Sequence, residues 1–293
     1  IVAVVVTLIG WFAAPKILRL MATPREAMAP ALAYLRVVFL FMPAAFLLVL
    51  LMMGLRGMGD SITPLIFMGL SVVLDSGLNP LFIHGWGPIP RMGIAGSATA
   101  TLIANYVSVL GLLIYIYARD LTIRLRGADW RYLIPDMALV KVIVFKGFPM
   151  GLQILVGSLA ALASIGLVNR NGVETTAAFG VAAQLWTYIQ MPAMAIGASV
   201  SAMSAQNIGA NNWERVGQIT RWGVIFNLLI TGAMVLLVAV ADRAAVVLFL
   251  GGNSPAIPIA RHISSITSWG YILFGIHFVL SGTMRANGSV IGP

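Results

Sequence analysis

LRGMGDSITP at residues 55–64 and MRANGSVIGP at residues 284–293 are two copies of one phrase. Arg56 aligns with Arg285, Gly59 with Gly288, Ile62 with Ile291 and Pro64 with Pro293, all at an offset of 229 residues, the difference between 285 and 56. Each copy follows a long apolar run. A repeat this long in so apolar a chain predicts two homologous helical bundles rather than a solenoid of short units. The second copy closes at Pro293, at the point where the first continues into another apolar run.

Composition sets the class. Charged residues make up 9% of the chain and apolar residues 60%, and the mean hydropathy is +0.96. Soluble domains carry about 25% charge, so the sequence describes an integral membrane protein, with lipid as a partner and no nucleic acid. The net charge of +9 belongs to loop residues that hold helices at lipid headgroups. The absence of cysteine excludes disulfide and thiolate chemistry. Ile1 already lies in an apolar segment, so neither a start nor a signal peptide is legible.

A membrane span needs about 20 mostly apolar residues. Eight segments qualify: 1–18, 32–54, 64–83, 93–118, 142–168, 176–203, 217–240 and 264–284. The extended polar stretch 119–141 carries Arg119, Arg124, Arg126, Arg131 and Lys141, which assigns it to the cytoplasm. Alternation then puts Arg56, Arg215, Arg221 and Arg285 on the same side. The phrase closes the second span before the loop but the fourth span after it, so the two sets are out of phase by two. Two leading and two trailing helices restore the symmetry. The expected fold is all-α: two pseudo-symmetric six-helix lobes of a twelve-helix protein, eight helices of which are present. Residues 1–118 form the last four helices of the N-terminal lobe, 119–141 the loop, and 142–293 the first four helices of the C-terminal lobe.

At this point the residues resemble the multidrug and toxic compound extrusion (MATE) family. RGMGDSITP (56–64) is similar to that family's R-G-x-G-D-x-x-x-P loop. LNPLFIHGWGPIPRMGIAGSATAT (78–101) resembles its fifth-to-sixth-helix connection, FPMGLQ (148–153) the opening of its seventh helix, and SAQNIGANNWERVGQ (204–218) the connection after its eighth. The order and spacing of these motifs carry the likeness from about residue 30 onward. The resemblance implies helices three to ten of twelve, and a monomeric, cation-coupled antiporter in the cell membrane, of bacterial inner-membrane type, that expels small organic, often cationic, compounds. It implies no cofactor beyond the coupling ion.

Of the nine acidic residues, Asp75 alone falls mid-span. An unpaired carboxylate at bilayer depth costs about 2.5–3.5 kcal/mol even on insertion scales, and protonation relieves that cost. Such a group can carry a proton, or hold Na⁺ when ionised; alternatively it serves as interhelical glue. Asn79 lies four residues on and shares its face, and Pro80 leaves a carbonyl near Ser76 without its helical donor. The proton-coupled branch of the family often carries Asn then Asp at these two places, so here the pair is exchanged. On the next span Ser97, Thr101 and Asn105 recur every four residues, either to complete a cation shell or to pack helices closely beside Gly93 and Gly96. Asp75, Asn79 and Thr101 are the candidate coupling residues.

The second lobe reads differently. The Na⁺-coupled and eukaryotic branches carry Glu eight residues after the seventh-helix proline and Asp eleven before the tenth-helix arginine; here those places hold Gly157 and Phe274. The resemblance therefore favours H⁺ over Na⁺ as the coupling ion. Gln153, Gln184, Tyr188, Met191 and His277 are candidates to line a substrate cavity. Tyr188 and Met191 belong to a cluster with Trp186 and Met194 whose rings and soft thioethers suit organic cations or plain packing. His277 is either a relay or a neutral hydrogen-bonding group. No H-E-x-x-H, P-loop, G-x-S-x-G or cysteine pair is present, which leaves an intramembrane enzyme without a constellation. The other reading is a lipid-linked oligosaccharide flippase of the same superfamily, against which Arg36 stands as the only basic residue well inside an early span.

Overall fold

The structure, a computed structural model, describes residues 2–20, 25–86, 90–127, 129, 131 and 134–289. Among them nine α-helices follow in order: α1 (Val2–Leu20), α2 (Arg25–Gly57), α3 (Ile62–His84), α4 (Ile94–Ala118), α5 (Met137–Asn169), α6 (Val173–Gly209), α7 (Trp213–Val240), α8 (Asp242–Leu250) and α9 (Ile257–Ala286). Eight of them coincide with the eight expected spans. Seven are long and apolar enough to cross a membrane. The exception among the long ones is α6, whose 37 residues include Gln184, Gln190 and several Ser and Thr side chains. Two boundaries differ from expectation. The polar stretch ends at Asp136, because its carboxylate accepts from Ala138 N at 2.8 Å and caps α5 there, so 137–141 are helical. The helix beyond the eight expected, α8, is a short continuation of α7 after a bend at Ala241.

The chain divides into two compact units, residues 1–130 and 131–293. In the first, α2 and α4 pack through Ala44, Leu48, Met52 and Leu55 against Val109, Leu112 and Ile116, with α1 on α2 and α3 on α4. In the second, α6, α7 and α9 pack together, while α5 contributes no buried residue. Each α-helix satisfies its own backbone, which is what hydrocarbon demands of a spanning segment.

The repeated phrase folds the same way twice. Gly59 N donates to Arg56 O and Asp60 N to Leu55 O, both at 3.0 Å, with Gly59 at φ 95°. Gly288 N donates to Arg285 O at 2.9 Å and Ser289 N to Met284 O at 3.0 Å, with Gly288 at φ 82°. Both are glycine-terminated helix ends whose left-handed residue only glycine adopts cheaply. Ile291 and Pro293 of the second copy lie outside the described residues. In the first copy Asp60 also starts the next helix, its Oδ1 accepting from Ile62 N at 3.1 Å and Thr63 N at 2.9 Å. The Thr63 hydroxyl and then its N–H hold this carboxyl below its ordinary value, against a smaller burial cost, with Ile62 N–H adding to the pull.

The 229-residue offset carries from the phrase back along α2 and α9. Gly275, Val279 and Gly282 of α9 are buried, whereas their α2 counterparts Phe46, Leu50 and Met53 are exposed. Conversely, Ala44, Leu48 and Leu55 of α2 are buried under α4, whereas Leu273, His277 and Met284 of α9 are exposed. At these six pairs one unit covers what the other leaves bare, while Met52 and its counterpart Ser281 are buried in both.

Inside the second unit the tightest approach surrounds Asn227, fully buried on α7. Its Nδ2 donates to Ala193 O at 3.2 Å and its Oδ1 accepts from the Thr231 hydroxyl at 2.9 Å. A Cβ at Gly275 would run into that same Oδ1, whereas a Cβ at Gly232 would meet open space. Gly275→Ala is therefore expected to destabilise by about 1–3 kcal/mol through overpacking and the loss of the amide bond, and Gly232→Ala to be neutral or mildly stabilising. Thermal unfolding in detergent compares them; equal melting temperatures would contradict the Asn227 assignment. For Asp60, the lowered carboxyl makes capping strongest above the ordinary carboxylate pKa, about 3.9, and lost as pH falls through the folded value. Asp60→Ala should cost about 1 kcal/mol at pH 7 and the gap from wild type should narrow at pH 3; a gap independent of pH would contradict the ionised cap.

Candidate ion-coupling site

The backbone N–H groups of Met92 and Gly93 donate to the carbonyls of Phe82 and Ile83 at 3.1 and 3.3 Å, which folds the start of α4 back onto the end of α3. Gly96 then lies against the Phe82 carbonyl, where any Cβ would collide. This close approach is the packing role expected of the small residues here, and it sets the register of the two helices.

In that register the Thr101 hydroxyl donates to Asp75 Oδ1 at 2.8 Å. The Ser97 carbonyl, one turn back on α4, lies 3.2 Å from the same hydroxyl. One hydroxyl proton serves one of these acceptors fully at a time, so Thr101 has two stations. Asn105 Nδ2 donates to the Thr101 carbonyl at 2.8 Å, pinning the following turn. Asp75, Ser97, Thr101 and Asn105 are all half-buried. The structure thus joins two of the three candidate coupling residues directly. Asn79 is half-buried one turn further along α3, and the hydrogen bonds described do not link it to Asp75. Pro80 is inside α3, as its place in the span requires.

The five cavity candidates are distributed over three helices of the second unit. Gln184, Tyr188 and Met191 form one exposed stripe on α6, opposite the buried Val181, Leu185 and Ile189. Gln153 is exposed on α5 and accepts from Arg285 Nη2 at 3.4 Å. His277 is exposed on α9, with the Ser281 hydroxyl 3.4 Å from its Nε2 and 3.5 Å from Nδ1. Hydrogen bonds do not join these five to one another. Trp186, in the same cluster by sequence, turns from the stripe and packs against Tyr271 in a tilted contact and Phe274 edge-to-face, at 4.7 and 4.6 Å between ring centroids. Phe274 stands where the Na⁺-coupled branches carry Asp, and it is committed to that aromatic contact. Among the described residues no group of three or more His, Asp or Glu could hold a metal ion.

The buried Asn227–Thr231 pair is not among the residues the sequence singles out. Its signal is the run NLLIT (227–231), in which the only polar side chains recur at the i, i+4 spacing that places them on one helix face.

A bundle of spanning helices with one carboxylate held mid-span against its neighbour is the build of a membrane transporter. The sequence profile of the MatE family matches residues 1–81 and 149–293, and the chain belongs to that family. It is a family of multi-pass membrane transporters, not of enzymes. The chain is 37% identical over 293 residues to the probable multidrug resistance protein YoeA of Bacillus subtilis (strain 168), covering all of this chain and 63% of that protein. It is 32% identical over 285 residues to the probable multidrug resistance protein YpnP of the same strain, covering 96% of this chain and 61% of YpnP. A crystal structure of MATE in complex with MaL6 superposes with a TM-score of 0.85 at 21% identity, over 98% of this chain and 63% of that one, and speaks for the fold alone. The chain thus spans under two thirds of the length of these relatives.

Proposed function

We propose that the chain is the central part of a proton-coupled antiporter that exports small organic, often cationic, compounds, and that Asp75 carries the coupling proton. The observation behind this reading is the Thr101-to-Asp75 hydrogen bond of 2.8 Å, formed mid-span between α3 and α4. An ionised Asp75 accepts from Thr101, a charge-assisted bond worth about 1.5–3 kcal/mol. A protonated Asp75 becomes a donor. Thr101 then accepts from it and turns its own proton to the Ser97 carbonyl, already 3.2 Å away. Proton arrival reverses the bond and lowers its strength, which loosens the α3–α4 contact without leaving a polar group bare. Both states remain satisfied, as the bilayer requires.

The exposed stripe of Gln184, Tyr188 and Met191 supplies an aromatic face, a thioether and an amide to a substrate. Membership of the family and the names of the two Bacillus proteins support an organic substrate class. The proton is favoured over Na⁺ because the second unit carries Gly157 and Phe274 at the places where the Na⁺-coupled branches carry acids.

The test is efflux of a fluorescent cationic dye from proteoliposomes of the full-length protein under an imposed pH gradient. Asp75→Asn should reduce pH-driven efflux to the level of empty vesicles, Thr101→Val should weaken it, and Thr101→Ser should preserve it. Undiminished pH-driven efflux by Asp75→Asn would remove Asp75 from the coupling role; efflux that follows a Na⁺ gradient alone would reassign the ion.

A further inference from the structure

We propose that the groove between α6 and α7 is a binding site for one anionic phospholipid, its phosphate on Arg215 and an acyl chain along Trp222 and Phe226. The groove has a volume of about 530 Å³ and is lined mostly by apolar side chains, with Ser199 on the α6 wall and Arg215 and Gln218 at one end of the α7 wall. Its apolar walls are exposed: Trp222 at 56%, Phe226 at 55% and Met203 at 46%. In a spanning helix pair, exposed side chains of this kind face either lipid or a neighbouring helix.

Geometry and charge select the occupant. From Arg215 to Ile230 the α7 wall is roughly 22 Å long at 1.5 Å per residue, somewhat more than one leaflet of a hydrocarbon core about 30 Å thick. The apolar part therefore accommodates a single acyl chain with its headgroup at the Arg215 end. That end of α7 is the one assigned to the cytoplasm by the distribution of basic residues, and the cytoplasmic leaflet is where anionic lipids attract juxtamembrane arginines. The Arg215 side chain makes no hydrogen bond or ion pair among the described residues; only its backbone N–H is engaged, on Asn212 Oδ1. The neighbouring carboxylate, Glu214, accepts from Gln218 Nε2 at 3.4 Å. A guanidinium pairs with phosphate oxygens in a fork; a zwitterionic headgroup offers the same phosphate with its charge cancelled by an ammonium.

The experiment is native mass spectrometry of the full-length protein after exchange into detergent containing equimolar phosphatidylglycerol and phosphatidylcholine of the same acyl chains. Wild type should retain one phosphatidylglycerol in preference to phosphatidylcholine by about fivefold, the ratio equivalent to the ~1 kcal/mol that a basic residue contributes at an anionic surface. Arg215→Gln should bring the two lipids to parity while phosphatidylcholine retention stays unchanged. Ser199→Phe, which fills the groove from α6, should lose both lipids. Circular dichroism and melting of each variant establish that it is folded. Equal retention of both lipids by wild type, an undiminished preference in folded Arg215→Gln, or a second protein copy held in place of lipid would each overturn the proposal.

Discussion

Hydrocarbon offers a polar group no partner, and most of this molecule follows from that. Backbone donors and acceptors are closed inside helices, the only open-chain solution available to a spanning segment. Side chains obey the same constraint. Asn227 in the second unit is fully buried and is satisfied by Ala193 and Thr231. Asp75 in the first is held by Thr101. The other acids with described side chains stand in loops or near helix ends; Glu174 and Glu214 lie in first turns, where the helix dipole favours a negative charge. A carboxylate kept at depth against that gradient is the feature that asks for a functional explanation.

The two units share a frame and differ in chemistry. The glycine-terminated helix ends at Gly59 and Gly288 have the same hydrogen bonds, and the offset between them places buried positions of α9 on exposed positions of α2 and the reverse. The chemistry does not repeat. The first unit presents a carboxylate that accepts from a hydroxyl on the neighbouring helix. The second presents Phe274 edge-to-face with Trp186, a neutral buried amide, and an exposed stripe of Gln184, Tyr188 and Met191.

The fold was legible because hydropathy, loop charge and the repeated phrase are local or simply periodic signals. The eight long helices follow from them. The start of α5 was missed by five residues, since Asp136 reads as one more polar loop residue until its side chain is seen to cap Ala138. Asp242 and Arg243 mark the end of the α7 span, but the nine residues of α8 that follow are too few to read as a span. At the site, Asp75 was legible from its isolation, but its bond to Thr101 depends on the register of α3 against α4. That register is set by Gly96 on the Phe82 carbonyl, a contact between residues far apart in pattern terms. Trp186 and Tyr188 look alike in sequence; only the rotation of α6 against α9 separates the packing ring from the exposed one.

The central claim is that Asp75 changes protonation state within the working cycle. Infrared difference spectroscopy of the full-length protein in lipid, stepped between neutral and acidic pH, reads a protonated carboxyl directly through its carbonyl stretch. The account predicts a carboxyl band that grows on acidification, shifts in Thr101→Val because its hydrogen-bond partner is gone, and is absent from Asp75→Asn. A band that persists unchanged in Asp75→Asn would place the titrating proton elsewhere and contradict the account.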